Sequence, residues 1–260
     1  MYEKELSICK DIVLAASEEI LKVYNTDFNV EKKDDESPVT KADIEANKVI
    51  VSILKKEFDY LIVSEESLNH QQYCDEEFCF IVDPIDGTRE FIKKNGEFTV
   101  NIALLHKDEL VVGVVYAPVL KELYYAVKGQ GAFLEKNGVV KKIHVSDRKE
   151  QLKVLISRSH QRLKSVELLE ENKNKISEVS RLGSSLKGCR IACGEQDAYY
   201  RFGPTCIWDT AAMQVIIEEA GGALKLLNGK KIDYRKKDYI NDEFYIINDE
   251  RNLFKEYLKS

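Results

Sequence analysis

The first third of the chain combines helical and strand-like patterns of apolar residues. Apolar side chains recur at helical spacing over residues 3–24 and again over residues 43–58, and both stretches predict amphipathic helices. Residues 61–63 and 78–82 are short, continuous apolar runs, which are typical of buried strands. We expect the second strand to end at Pro84, because proline has no backbone N–H to donate.

The rest of the chain predicts an antiparallel sheet and then an alternation of strands and helices. Strands are predicted at residues 98–105, 110–116 and 122–127, and Asn137-Gly138 indicates a hairpin between 132–135 and 139–145. Beyond residue 149 the predicted strands are 154–157, 177–182, 223–227 and 244–247, and the predicted helices are 161–171, 184–193, 209–220 and 250–258. We therefore predict an α+β fold with an alternating α/β second half, divided into subdomains 1–149 and 150–260.

Composition narrows the classes of function. The 260 residues carry a net charge of −6, which argues against a nucleic-acid polymer as partner because phosphate backbones bind basic surfaces. The longest apolar run has the length of a strand, and the N-terminal residues are charged rather than an apolar signal segment. We therefore expect a cytoplasmic protein.

The cysteines and histidines predict no separate metal site. The six cysteines include no Cys-x-x-Cys pair, and free thiols are expected in a reducing compartment. Cys189 and Cys193 lie one helical turn apart and could bind zinc, but without a nearby histidine we favour packing in the core. The four histidines show no ligand spacing either.

The segment Asp83-Pro84-Ile85-Asp86-Gly87-Thr88-Arg89-Glu90-Phe91 carries the densest chemistry in the chain. Gly87 permits a tight turn, and Thr88 is a good N-cap for a helix beginning near Arg89. Two carboxylates beside a helix N-terminus suit a divalent cation and a phosphate, respectively. The alternative is a capped turn that both aspartates merely shape. A calcium EF-hand loop is excluded, because Ile85 and Gly87 occupy positions where that loop needs Asp or Asn.

Four further acidic residues have simple structural explanations. Asp43 begins a predicted helix and Asp209 precedes another, and an acid at either place can cap the helix. Glu65 and Glu66 follow the strand at 61–63. Adjacent like charges are unfavourable if they are buried without a cation but unremarkable if they are exposed.

The order of these acidic motifs resembles that of the inositol monophosphatase superfamily. Glu65-Glu66, then the segment from Asp83 to Thr88, then Trp208-Asp209-Thr210-Ala211-Ala212 occur in the family's sequence order. The similarity covers essentially the whole chain. It implies a layered αβαβα sandwich of the inositol monophosphatase and fructose-1,6-bisphosphatase type, and a magnesium-dependent, lithium-sensitive phosphomonoesterase.

Within this superfamily the chain looks most like the bacterial 3′(2′),5′-bisphosphate nucleotidases. Glu90 stands where inositol phosphatases usually have Asn, and four further runs are typical of the nucleotidases: 95–104, 157–160, 183–187 and 201–205. The charged stretch at 174–178 departs from the more apolar sequence expected there. The resemblance implies hydrolysis of adenosine 3′,5′-bisphosphate to AMP and phosphate in sulfur metabolism, with 3′-phosphoadenylyl sulfate as a second candidate substrate.

The resemblance also implies roles for individual residues. In the first subdomain and at Asp209, the metal ligands are Glu65, Asp83, the carbonyl oxygen of Ile85, Asp86 and Asp209, which together hold two to three Mg²⁺ ions. The catalytic residues are Asp43 and Thr88, which orient and deprotonate the attacking water, and Glu66, which supports the metal ligands without contacting the metal. In the second subdomain, the nucleotide and its second phosphate are held by His160, Ser184, Lys187 and Arg201. The substrate also contacts Glu65, Ile85, Asp86, Gly87, Thr88 and Asp209.

Other functions stay open from the sequence. An inositol monophosphatase or fructose-1,6-bisphosphatase-like sugar phosphatase would use the same metal ligands with another pocket. A non-catalytic regulator that binds nucleotide or metal is a different class. The resemblance implies a monomer or homodimer acting on a small-molecule nucleotide bisphosphate, and it leaves open peripheral association with the cytoplasmic side of the inner membrane. No basic amphipathic helix supports that association independently.

Overall fold

Two amphipathic helices cover one face of a large sheet. The computed structural model describes residues 1–27, 30–32, 38–67, 73–160, 162–254 and 257. Helices α1 (Glu3–Tyr24) and α2 (Lys41–Glu57) pack on each other, and their apolar stripes bury a core against this sheet. The short strands β1 (Val30–Lys32) and β2 (Pro38–Thr40) pair between the two helices in sequence. The periodicity prediction is confirmed for both helices.

The large sheet has seven strands in sequence order, β3 to β9. The pair β3–β4 is parallel and the other neighbours are antiparallel. The strands are β3 Leu61–Ser64, β4 Phe78–Asp86, β5 Thr99–His106, β6 Glu109–Ala117, β7 Glu122–Val127, β8 Gly131–Lys136 and β9 Val139–Ile143. Helix α3 (Thr88–Ile92) follows β4 directly.

The second sheet is mixed, with strand order β11-β10-β12-β16-β14. Its strands are β10 Leu152–Ser157, β11 Ile176–Leu182, β12 Ala198–Arg201, β14 Ala223–Leu226 and β16 Phe244–Ile247. A separate two-stranded sheet joins β13 (Thr205–Cys206) to β15 (Ile240–Asn241). Helices α5 (Leu186–Ala192) and α6 (Ile207–Glu219) lie between the two main sheets, and α4 (Leu163–Glu171) contributes to the apolar cluster that covers the outer face of the second.

These elements form the predicted layered αβαβα sandwich. Helix α6 packs so closely on the large sheet that a Cβ atom at Gly113 of β6 would collide with the carbonyl oxygen of Ala212. Residues of both main sheets share one apolar cluster around α6. The large sheet lies within residues 61–143 and the second within 152–247, so the division at 149 and 150 stays a proposal for two subdomains that share a core.

The prediction that β4 ends at Pro84 is wrong. The ladder pairs Asp83 with Asn101 and resumes at Asp86, which pairs with Thr99. One extra residue is accommodated on β4 between these pairs, and a bulge is a place where a strand tolerates proline. Thr88 is not the N-cap of the next helix. Gly87 is, because its φ of 94° reverses the chain and Thr88 becomes the first helical residue.

Several other predicted boundaries differ from the structure. The helix predicted to begin at 184 begins at Leu186, because Ser184 has a left-handed φ of 50°. Strand β12 and the short pairs β1–β2 and β13–β15 are not predicted by the apolar pattern. The predicted helix at 250–258 is wrong in its described part, where Glu250–Asn252 forms one 3₁₀ turn; residues 255, 256 and 258–260 lie outside the described residues.

The six cysteines are free, as expected. Cys189 is fully buried in the core, and Cys193, which follows α5, packs against the same apolar cluster. His70 lies outside the described residues. Among the helices described, none is both long and apolar enough to span a bilayer.

Candidate active site

Three aspartates converge at the end of β4 and the start of α6. One oxygen each of Asp83, Asp86 and Asp209 lies within 4.8 Å of the other two. The bulge in β4 brings the first two carboxylates to one place although they are three residues apart. Asp209 joins them from the first turn of α6, the helix that packs across β4. The fold therefore gathers acidic groups that are far apart in sequence.

Each of these aspartates is oriented by a backbone N–H. The N–H of Ile85 donates to Asp83 Oδ1 at 3.0 Å, and the N–H of Cys206 donates to Asp209 Oδ2 at 2.6 Å. Asp86 Oδ2 accepts from the N–H of Ser185 at 2.6 Å. Charge-assisted hydrogen bonds of this kind hold a carboxylate in one rotamer. A rigid set of carboxylate oxygens is the donor type that Mg²⁺ prefers.

The electrostatics of this cluster favour a bound cation. Burial is the main cause, and the negative charges of Asp86 and Glu65 add to it, and together they raise the pKa of Asp209 to about 8. The carboxylates thus repel one another in the protein alone, and a divalent cation would relieve that repulsion. The residues present therefore fit a magnesium site.

A cavity of about 450 Å³ extends from the three aspartates. Among the described residues, all the predicted metal ligands line it, including Glu65 in the 3₁₀ turn Glu65–Ser67 and Ile85 in the β4 bulge. Every residue predicted to hold substrate lines it as well. We call this space the central cavity, and we call Glu65, Asp83, Asp86 and Asp209 the carboxylate cluster. A cavity of about 530 Å³ lies between α4 and β11, but none of the described clusters of potential metal ligands is there.

Asp43 lies behind the wall of the central cavity and has two sets of contacts. Its Oδ2 accepts hydrogen bonds from the N–H and Oγ1 of Thr40, at 2.8 and 2.7 Å, which caps α2 as the sequence suggested. Its Oδ1 lies 3.3 Å from Oγ1 of Thr88, which lines the cavity and lies equally close to the Ile85 carbonyl oxygen. Asp43 can therefore cap the helix and still orient the threonine hydroxyl.

Glu66 lies beside the predicted metal ligand Glu65 but outside the lining of the central cavity. It follows Glu65 in the same 3₁₀ turn and is half-buried, but it is not among the residues that line the central cavity. Its predicted role behind the metal ligands stays a prediction.

Part of the lining of the central cavity is cationic. Lys187 is 8% exposed, donates from Nζ to the Ser184 carbonyl oxygen at 2.6 Å, and lies 5.2 Å from the centre of the Tyr199 ring. The guanidinium of Arg201 donates to the carbonyl oxygens of Gly203 and Pro204 at 3.2 and 2.9 Å. Both cations are held by neutral carbonyl groups, so neither positive charge is neutralised by these contacts and both can bind an anion.

Two further arginines stand at the exposed rim. Arg89 in α3 and Arg162 before α4 line the cavity beside His160. Desolvation and the positive charges of Arg201, Arg89, Lys187 and Arg162 lower the pKa of His160 to about 4. The imidazole is therefore neutral near pH 7, and the surrounding field attracts anions.

Sequence reasoning missed part of the site. Arg89 and Ser185 lie inside motifs that were quoted, but no role was assigned to them. Arg162 follows the run 157–160 closely, and Asn101 lies inside the run 95–104, but its proximity to Asp86 depends on the strand register. These residues become visible only when separate elements meet.

Layered sheets and helices, with clustered aspartates beside a cationic cavity, define a class of α/β proteins equipped to hold a metal ion and a phosphorylated ligand. The chain belongs to the inositol monophosphatase family, whose model matches residues 1–258. The 3′(2′),5′-bisphosphate nucleotidase CysQ of Salmonella typhimurium is 43% identical over 242 residues, 89% of this chain and 94% of the relative.

Solved structures support the same family. CysQ from Bacteroides thetaiotaomicron, described as a bacterial member of the inositol monophosphatase family, superposes with a TM-score of 0.82 at 36% identity, over 96% of this chain and 99% of that one. The IMPase of Thermotoga maritima has the same TM-score of 0.82 at 27% identity, over 99% of this chain and 96% of that one.

Proposed function

We propose that this protein is a Mg²⁺-dependent phosphomonoesterase that hydrolyses adenosine 3′,5′-bisphosphate to AMP and phosphate. The observation that carries the proposal is the presence of two regions for phosphate in one cavity. One region is the carboxylate cluster, and the other is the cationic part of the lining that Lys187 and Arg201 form. A substrate with one phosphate needs only the first region, whereas a nucleotide bisphosphate can use both. The relatives named 3′(2′),5′-bisphosphate nucleotidase support this choice.

The carboxylate cluster and the Ile85 carbonyl oxygen would hold two to three Mg²⁺ ions. When bound, magnesium supplies charge neutralisation for the phosphate and lowers the pKa of a coordinated water. The protein's own contribution is rigidity, because each aspartate of the cluster is fixed by a backbone N–H before any ion arrives.

Thr88 and Asp43 would prepare the attacking water. The hydroxyl proton of Thr88 can be donated to Asp43 Oδ1, 3.3 Å away, which leaves an Oγ1 lone pair to accept a hydrogen bond from water. Asp43 would then act as the eventual proton acceptor through Thr88. The two contacts from Thr40 keep the carboxylate of Asp43 in place for this task.

The second phosphate would bind the cationic part of the cavity lining. Lys187 and Arg201 would hold the 5′-phosphate by charge-assisted hydrogen bonds, while the 3′-phosphate lies at the carboxylate cluster. Arg89 and Arg162 at the rim would raise the local concentration of the anionic substrate. His160, which stays neutral, and Ser184 would contact the nucleoside or its phosphate without adding charge.

The wider role follows from the same proposal. Clearing adenosine 3′,5′-bisphosphate would remove a by-product of sulfate activation, and 3′-phosphoadenylyl sulfate has the same 3′-phosphate. Lithium would inhibit by competing for a magnesium position. The cytoplasmic location, the peripheral membrane association and the monomeric or dimeric state stay predictions.

A substrate panel tests the proposal. Phosphate release should be measured with Mg²⁺ from adenosine 3′,5′-bisphosphate, 3′-phosphoadenylyl sulfate, inositol 1-phosphate and fructose 1,6-bisphosphate, with Asp83→Asn as the control for contaminating phosphatase. We expect the highest kcat/KM on the adenosine bisphosphate. A higher kcat/KM on inositol 1-phosphate or fructose 1,6-bisphosphate would replace the proposal with a sugar phosphatase. No release from any of them would indicate a binding protein.

A further inference from the structure

Ser185 links the turn before α5 to the carboxylate cluster. It is 1% exposed and belongs to the turn Gly183-Ser184-Ser185 that connects β11 to α5. Its backbone N–H and its Oγ both reach Asp86 Oδ2, each at 2.6 Å. Ser185 comes from the second half of the chain and Asp86 from the first, so this contact joins the two.

The hydrogen bonds around Ser185 run from Asn101, through the serine hydroxyl, to Asp86. Asn101 Nδ2 donates to Ser185 Oγ at 2.9 Å, which leaves the serine proton for an acceptor. Asp86 Oδ2 is the nearer acceptor at 2.6 Å, compared with 3.1 Å for the carbonyl oxygen of Asp209. Asn101 Nδ2 also lies 3.3 Å from the same oxygen of Asp86. Oδ2 of Asp86 therefore faces three donors, which are the backbone N–H and Oγ of Ser185 and Nδ2 of Asn101.

The turn that carries Ser185 is fixed to the first half of the chain. Glu97 accepts the N–H of Gly183 at 2.9 Å and is held in turn by Arg158 through two hydrogen bonds of 2.6 Å. A Cβ atom at Gly183 would lie 2.6 Å from Cγ of Glu90, so the turn has no space for a larger residue. Ser185 thus occupies one position relative to Asp86.

We propose that Ser185 is a positioning residue for the metal site, which it serves by holding Oδ2 of Asp86 so that the other oxygen faces the cation. The proposal shares with the proposed function only the assignment of Asp86 as a metal ligand. Hydrogen bonds to ligating carboxylates fix their orientation, and losing such a partner typically weakens metal binding by about 10–100-fold.

Ser185→Ala tests this directly, because it removes the hydroxyl and keeps the backbone donor. Binding of Mn²⁺, a paramagnetic probe for the magnesium site, should be measured by electron paramagnetic resonance without substrate. We expect about tenfold weaker binding at the sites that Asp86→Asn abolishes. Ser177→Ala is the matched control, since it removes a serine hydroxyl bonded to the Gln151 carbonyl oxygen, outside the central cavity. It should bind Mn²⁺ like the unmodified protein.

Kinetics provide a second measurement that a general loss of structure would not reproduce. In Ser185→Ala, the Mg²⁺ concentration for half-maximal phosphate release should rise about tenfold. KM for adenosine 3′,5′-bisphosphate at saturating Mg²⁺ should change by less than about twofold, because no substrate contact is removed. If Ser185→Ala does not fold, as judged from its melting without metal, Asn101→Ala removes the other side-chain donor and should weaken Mn²⁺ binding in the same direction.

Unchanged Mn²⁺ affinity in the folded Ser185→Ala variant would overturn the proposal, as would an equal loss of affinity in Ser177→Ala. Because Mn²⁺ binding is measured without substrate, this result does not depend on the bisphosphate assignment. A protein whose Mn²⁺ binding depends on Asp86 and on the Ser185 hydroxyl, but which does not hydrolyse the bisphosphate, would support this inference and overturn the proposed function.

Discussion

Neutralising the cationic part of the lining of the central cavity should change which substrate the enzyme prefers. The sharpest variant is Lys187→Met, because methionine keeps an unbranched apolar stem against Tyr199 and removes only the ammonium group. Lys187 is 8% exposed, so an anion bound to it is sheltered from water. A charge-assisted hydrogen bond in such a place contributes about 1.5–3 kcal/mol. The expected loss in kcat/KM on adenosine 3′,5′-bisphosphate is therefore about ten- to hundredfold.

Arg201→Gln should give a smaller loss in the same direction. Arg201 is half-exposed, and solvent screens its charge more than that of Lys187. We expect about a tenfold loss on the bisphosphate. The matched control is Arg251→Gln, which removes an exposed guanidinium that is bonded to Asp249 and lies outside the central cavity. This control should leave kcat/KM unchanged.

The decisive comparison is between substrates with and without the second phosphate. Phosphate release by each variant should be measured on adenosine 3′,5′-bisphosphate and on 3′-AMP at saturating Mg²⁺. On 3′-AMP the variants should lose less than about threefold, because no 5′-phosphate is present to lose its partner. Equal losses on both substrates would refute the reasoning, since the two cations would then be shaping the fold or the metal site.

Three other predictions concern the metal site. Removing one charge from the carboxylate cluster, as in Asp83→Asn, should lower kcat at least about a hundredfold at saturating Mg²⁺, and near-normal turnover would exclude that residue from the site. Trp208, which is 6% exposed and lines the cavity beside Asp209, should change its fluorescence when Mg²⁺ is added, and a flat titration of active protein would contradict this placement. In the metal-free protein, the pKa of Asp209 is raised from 3.8 to about 8. The folded protein therefore keeps a proton that the unfolded chain has lost, and the free energy of unfolding should fall as the pH rises from 3.8 towards 8. The Mg²⁺-induced increase in Tm should therefore grow over that pH range, more in the unmodified protein than in Asp209→Asn, and a pH-independent increase would contradict the pKa shift.

The parts of the fold that follow from periodicity could be predicted from the sequence. Both N-terminal helices and the antiparallel strands of the large sheet have one buried face or a continuous apolar core, and these patterns are visible along the chain. The helix predicted at 250–258 was wrong in its described part, because the chain leaves the 3₁₀ turn at Leu253 with an extended ψ of 134° and buries Phe254 in the apolar cluster of the second sheet. Strand β12 was not predicted from its own residues, and its place in the second sheet is defined by its pairing with β10 and β16.

The candidate site also has a part that the sequence predicts and a part that depends on the fold. The carboxylate cluster could be predicted because its residues lie in motifs with a recognisable order. The bulge at Pro84 could not, since it depends on the register between β4 and β5, and the left-handed φ of Ser184 could not, since the sequence has no glycine at that position. The Ser185 contact with Asp86 depends on a turn held by Glu97 and Arg158, which no local pattern reveals.

The identity of the leaving phosphate tests the central claim most directly. Adenosine 3′,5′-bisphosphate should be incubated with the protein and Mg²⁺, and the nucleotide product should be identified by ³¹P NMR. If the carboxylate cluster acts on the 3′-phosphate while Lys187 and Arg201 hold the 5′-phosphate, the products are 5′-AMP and inorganic phosphate. Formation of 3′-AMP, or an unchanged substrate, would contradict the account.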